Sequence, residues 1–139
     1  MAGKEVRGVE HSDADLFQGR PWLFTSEPPS WLREWVAKIG ARVRVTTPEE
    51  HDRLVALASH LPQLLSSALA SVTEPARDAA GPGLESMTRL AASPYAIWQD
   101  IVETNRDEIL AAYDELLATM HKHRRALATG EERFLFHNG

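Results

Sequence analysis

The sequence predicts a mainly α-helical protein preceded by a short strand–helix–strand unit, and three observations carry that prediction. Ala and Leu supply most of the 43% apolar residues, against four Phe, two Tyr and four Trp, a mix that favours helices over sheets. After Thr47 the apolar residues recur mainly at helical spacing, and strand-like segments are confined to two short stretches before it. A chain of 139 residues buries roughly two-thirds of its unfolded surface, enough for one domain with its own core.

Residues 1–20 mix glycine and charge without periodicity, and Pro21 to Thr25 then reads as a short strand between Arg20 and the Ser26 to Pro29 breaker. From Ser30 to Ile39, Trp31, Leu32, Trp35, Val36 and Ile39 recur at helical spacing, and Gly40 closes the segment. Ala41 to Thr46 alternates like a half-buried strand. Thr47-Pro48-Glu49-Glu50 is a helix start: Thr47 caps, Pro48 suits the first helical position, and Glu50 completes a capping box. Leu54, Leu57, Ala58, Leu61, Leu64, Leu65, Ala68, Leu69 and Val72 give the following long helix one apolar face. Pro62 is expected to kink it near its middle. Residues 74–83 read as a loop and Leu84 to Ala92 as a short helix. Ser93-Pro94 starts a further helix through Trp98 and Ile101. Ile109, Tyr113, Leu116, Leu117, Met120 and Leu127 mark a C-terminal amphipathic helix ending before Gly130.

Composition narrows the function. Fifteen Lys and Arg against twenty Asp and Glu give a net charge of -5, which exerts no general pull on phosphate backbones or anionic lipid, so neither nucleic acid nor membrane is an expected partner. No cysteine is present for disulfides or thiolate ligands, and no metal site is expected. The first seventeen residues lack the apolar core of a signal peptide. The longest apolar stretch, Leu54 to Val72, contains His60, Pro62, Gln63 and several Ser and is read as falling short of a membrane span. A cytoplasmic protein is the expectation.

The order of motifs resembles the prephenate and arogenate dehydrogenases from the first residue to about residue 128. Met1-Ala2-Gly3 and Leu16-Phe17-Gln18-Gly19-Arg20-Pro21 are similar to that family's HPMAG and LF-x-GRP segments. Pro48 to Asp52 and Ser59-His60-Leu61-Pro62 resemble its PEEHD and SHLPH motifs. Met87-Thr88-Arg89-Leu90-Ala91, then Trp98, Asp100-Ile101 and Asn105, resemble its MTRIA and W-x-DI-x-x-x-N runs. The resemblance implies that residues 1–46 are the end of a nucleotide-binding α/β domain and that 47–139 form a helical substrate-binding and dimerisation domain. The family's dinucleotide cradle and catalytic histidine correspond to positions upstream of Met1. Gly81-Pro82-Gly83 lies between helices and lacks the strand that a dinucleotide fingerprint requires, so no cofactor is expected. Two departures concern substrate contacts: Gln63 replaces the second histidine of SHLPH, and Gly83-Leu84-Glu85-Ser86 replaces the family's usual Gly-Phe-Arg/Lys-Asp.

Five residues are singled out. Arg89 carries an always-charged fork suited to bidentate binding of a carboxylate, as the resemblance implies for the MTR arginine; its alternative is a solvated helix arginine. His60 is the acid/base candidate, against a core histidine bonded to backbone. Ser59 and Gln63 share a helix face suited to a ligand's polar tail, and Trp98 is a substrate contact or a core residue. His51 is read as bonding within its first turn. The run His121 to Arg125 is read as a solvated helix end. The expected function is that of a prephenate-dehydrogenase-like protein without its NAD-binding half, a homodimer binding a carboxylate-bearing cyclohexadienyl or related molecule. Two alternatives stand beside it: a free-standing cofactor-independent cyclase, isomerase or lyase of secondary metabolism, and half of a split dehydrogenase of tyrosine biosynthesis.

Overall fold

A computed structural model describes residues 8–135, so the Met1-Ala2-Gly3 motif lies outside the described residues. Strand β1 (Pro21–Phe24), helix α1 (Ser30–Lys38) and strand β2 (Arg42–Val45) form a β–α–β unit whose strands pair in parallel, Pro21 opposite Arg42 through Phe24 opposite Val45. Helix α1 ends where Gly40 takes φ 82°, a left-handed conformation that a side chain would resist, and Ala41 N–H donates back to the Val36 carbonyl at 3.3 Å. Of the apolar face expected on α1, Val36 is fully buried, while Trp31 and Trp35 stand 67% and 52% exposed.

Helix α2 (Pro48–Val55) starts at the expected cap, with Thr47 Oγ1 accepting from Glu50 N–H at 3.1 Å. The reciprocal half of the capping box is absent. The Glu50 carboxylate instead accepts from Thr46 Oγ1 at 2.6 Å and from the Arg44 guanidinium at 2.8 Å, tying β2 to α2. The Thr46 hydrogen bond, foremost, holds the Glu50 carboxyl below its ordinary range.

Helices α2 and α3 (Leu61–Thr73) are joined by a π-helical turn, Ala56–His60. The disturbance expected at Pro62 therefore lies one turn earlier. In a regular α-helix the Pro62 ring would strike the carbonyl four residues before it, and widening the backbone there relieves the clash. Within the 32-residue helical run Pro48–Ala79 an 18-residue window reaches a mean hydropathy of 1.3, long and apolar enough to cross a membrane by length and composition alone, a test that the core helix of a globular protein also passes. The sequence reading that Leu54 to Val72 falls short of a span rests on its scattered His, Gln and Ser, which Leu and Ala outweigh in mean hydropathy alone. His60, Gln63, Ser66 and Ser67 nevertheless bond within the protein.

The loop expected over residues 74–83 is also corrected. A 3-10 helix, Glu74–Ala79, continues from α3, and α4 (Pro82–Thr88) begins with Pro82 at its first turn. A second 3-10 turn, Arg89–Ala92, leads to α5 (Tyr95–Thr104) and to α6 (Arg106–Thr129), which stops at Gly130 with φ 74°. The protein is mainly helical, as its composition predicts. Its helical core is Ala56, Ile109 and Ala112, with Leu61, Leu64 and Val102 packed around them, so the π turn and the start of α6 meet at the centre.

Candidate functional site

His60, the last residue of the π turn, is 6% exposed and faces the junction between α5 and α6. There Asn105, also buried, ends α5 and precedes α6. Its side-chain Nδ2 donates to the Asp52 carbonyl of α2 at 2.9 Å and lies 3.3 Å from His60 Nδ1. Trp98 of α5, in the same chain, meets the His60 ring edge-on, with centroids 6.0 Å apart and planes at 87°. Beside them His51 Nδ1 lies 2.9 Å from Asp52 Oδ1, the local contact expected for His51. Three helices and a π turn therefore converge on one imidazole. Desolvation is the main reason that its pKa falls below the ordinary value; the nearby Asp52 charge pulls the other way, and His51 adds to the lowering.

Gln63, expected to face a ligand, is buried and donates Nε2 to the Leu90 carbonyl at 2.8 Å. Ser66, one turn on, accepts from the Ala91 N–H at 3.1 Å. These two bonds stitch the turn Arg89–Ala92 to α3, so Gln63 positions the backbone that carries Arg89. Arg89 itself lies on the exposed side of that turn, and Ser59 is half-buried on the π turn. The structure thus gathers His60, Trp98, Asn105 and Asp52 into one cluster and braces the Arg89 turn from the same helix. Asn105 and Asp52 sit inside the motifs quoted from the sequence, yet no local pattern there signals that they meet 53 residues apart.

Two grooves border these elements. One, of about 620 Å³, has a floor of Ala70, Ala80, Leu84 and Ala91 beside the Glu74–Arg77 ion pair at 3.5 Å. The other, of about 410 Å³, runs past Asp52 and Asn105 and carries Glu49, Glu103, Asp107 and Glu108 with Arg106, a lining of net negative charge that disfavours a carboxylate. Neither is lined by His60, Trp98 or Arg89. The larger groove also carries the polar side chains of Thr73, Arg77, Glu85 and Thr88.

The described residues do not fit a nicotinamide dinucleotide. The strand-to-helix connection from β1 to α1 is Thr25-Ser26-Glu27-Pro28-Pro29, which has no glycine, and its two prolines lack the amides that would cradle phosphate. Gly81 and Gly83 flank the start of α4 after a 3-10 helix rather than a strand. No group of three potential metal ligands occurs among the described residues.

The family profile described as "Prephenate dehydrogenase, dimerization domain" matches residues 47–138, about two-thirds of the chain. The chain belongs to this prephenate dehydrogenase family. A cyclohexadienyl dehydrogenase of Zymomonas mobilis is 30% identical over 97% of the chain, which spans 51% of that protein. A prephenate dehydrogenase of Bacillus subtilis is 29% identical over 98% of the chain, which spans 40% of it. The chain thus spans about half the length of the relatives it matches, or less. Prephenate dehydrogenase from A. aeolicus, solved with hydroxyphenyl propionate and NAD+, shares the fold with a TM-score of 0.82 at 24% identity, over 97% of this chain and 52% of that one. Synechocystis arogenate dehydrogenase does so with a TM-score of 0.75 at 22% identity, over 96% and 55%.

Proposed function

We propose that this prephenate dehydrogenase family member acts as the substrate-binding and dimerisation half of a dehydrogenase. In this reading residues 1–46 are the end of a nucleotide-binding domain and residues 47–139 the helical domain. It binds a carboxylate-bearing cyclohexadienyl or phenylpropionate-type molecule beside the His60 and Trp98 cluster, and Arg89 clamps the carboxylate. The observation that carries this reading is the convergence of α2, the π turn and α5–α6 on a buried imidazole, while α3 braces the Arg89 turn through Gln63 and Ser66. Trp98 supplies an apolar wall and His60 a polar contact. The relative solved with hydroxyphenyl propionate supports the ligand class. The homodimer expected from the sequence is supported by the match to a dimerization domain and by the apolar residues left exposed along α6.

Titration calorimetry of the full chain with hydroxyphenyl propionate tests the proposal. Binding is expected, and Arg89→Gln should weaken it about ten- to a hundredfold, the worth of one charge-assisted hydrogen bond, with the helical circular dichroism unchanged. No heat with the native chain, or equal affinity in the variant, overturns it.

A further inference from the structure

Asn105 occupies a position where Asn ordinarily caps a helix, between the end of α5 and the first residue of α6. It makes no side-chain cap bond there. Its backbone is fixed instead, with N–H donating to the Ile101 carbonyl at 3.1 Å and its own carbonyl accepting from Ile109 N–H at 3.1 Å. The side chain is left to serve another purpose.

The chemistry of that amide determines what it does to His60. An amide nitrogen has two hydrogens and accepts nothing. One hydrogen goes to the Asp52 carbonyl at 2.9 Å, which fixes the amide's orientation, because the flipped rotamer would set its oxygen against that carbonyl oxygen. The nitrogen is then what faces His60 Nδ1 at 3.3 Å, and a nitrogen that only donates requires Nδ1 to be the acceptor. Nδ1 therefore carries the lone pair and Nε2 the proton. His60 Nε2 has no hydrogen-bond partner among the described residues. Because no buried side-chain nitrogen or oxygen among them lacks a partner, Nε2 is the polar atom of the ring that reaches solvent.

We infer that Asn105 is a positioning residue that locks His60 in the Nε2–H tautomer, so that His60 meets its ligand as a hydrogen-bond donor to a carbonyl or carboxylate oxygen. The inference rests on the proposed site for the ligand only; the tautomer itself is a property of the unliganded chain. Trp98, edge-on at 87°, fixes the ring plane while Asn105 fixes its protonation. An Nε2–H imidazole does not take a proton from a ligand hydroxyl unless its Nδ1 bond to Asn105 reverses roles, which the amide nitrogen forbids. His60 therefore serves recognition rather than acting as a general base.

The test is ¹⁵N-detected histidine spectroscopy on the full chain near neutral pH, in the native protein and in Asn105→Ala and Asn105→Asp. The native His60 should show an unprotonated Nδ1 and a protonated Nε2. In Asn105→Asp the carboxylate accepts where the amide donated, so Nδ1 should become protonated and the titration midpoint should rise by about one unit or more. In Asn105→Ala the two tautomers should average. A protonated Nδ1 in the native chain overturns the inference, as does an unprotonated Nδ1 in Asn105→Asp. If Asn105→Asp fails to fold, an Asn105→Ala spectrum identical to the native one overturns the positioning role. Calorimetry with hydroxyphenyl propionate separates the two proposals: absence of binding with the native tautomer intact removes the site and leaves the lock.

Discussion

At the scale of single residues, the buried imidazole gives stability a direction with pH. His60 has a lowered pKa in the folded protein, chiefly through burial, and an ordinary value near 6.5 once unfolded. Between those two values the unfolded chain holds a proton that the folded chain refuses, so stability rises with pH in this window. His60 therefore contributes fully above about pH 6.5, and its contribution is lost as pH falls toward the folded value. Thermal unfolding should show a midpoint that drops from about pH 7 to pH 5, and His60→Gln should flatten that slope. A slope equal in the two proteins would remove His60 as its source. His60, Arg89 and Trp98 could be singled out in the sequence because each carries a chemistry-bearing side chain within a recognisable motif. Asn105 lies in such a motif too, but its contacts with the Asp52 carbonyl and His60 join segments that no periodicity brings together.

Among the elements, those whose local chemistry is self-sufficient were legible. The Thr47 cap, the Pro48 start and the left-handed Gly40 and Gly130 set the ends of α1, α2 and α6 to within a residue or two of the sequence reading. The π turn was not legible. Pro62 announces a disturbance but does not say that the backbone yields at Ala56–His60. Residues 74–79 failed for another reason: Glu74 and Pro75 suit a helix start as well as a loop, and continuity with α3 decides for the 3-10 helix. The turn Arg89–Ala92 is the element most dependent on tertiary bonds. Ser66 is 3% exposed and its hydroxyl is the partner of Ala91 N–H, so Ser66→Ala removes that acceptor with almost no change in volume. The change should cost about 1–3 kcal/mol in urea unfolding and speed hydrogen exchange at the Ala91 amide. Unchanged exchange at that amide would show that the turn is held without Ser66.

At the scale of the whole molecule, the chain leaves uncovered what its sequence made apolar. Helix α6 runs for 24 residues, about 36 Å, yet its only buried residues are Ile109 and Ala112 in the first two turns. Beyond them Leu117, Met120 and Leu127 are exposed, and Leu110 is 56% exposed, at spacings of seven and three that line one side of a helix. Such a stripe costs free energy in water unless another surface covers it. Val72 of α3, Met87 of α4 and Tyr95 and Ile97 of α5 add exposed apolar surface elsewhere on the helical region. Self-association is the economical solution, since a two-fold pairing covers the same stripe on both copies at once. Light scattering at micromolar concentration should therefore return about twice the chain mass of 15.5 kDa. Met120→Glu, which places a charge in the middle of the exposed stripe, should return a single chain mass while retaining the helical circular dichroism, because Met120 takes no part in the core of Ala56, Ile109 and Ala112. A native monomer would refute the pairing outright. A variant that remains dimeric would move the interface off α6 and onto the surfaces of α3, α4 and α5.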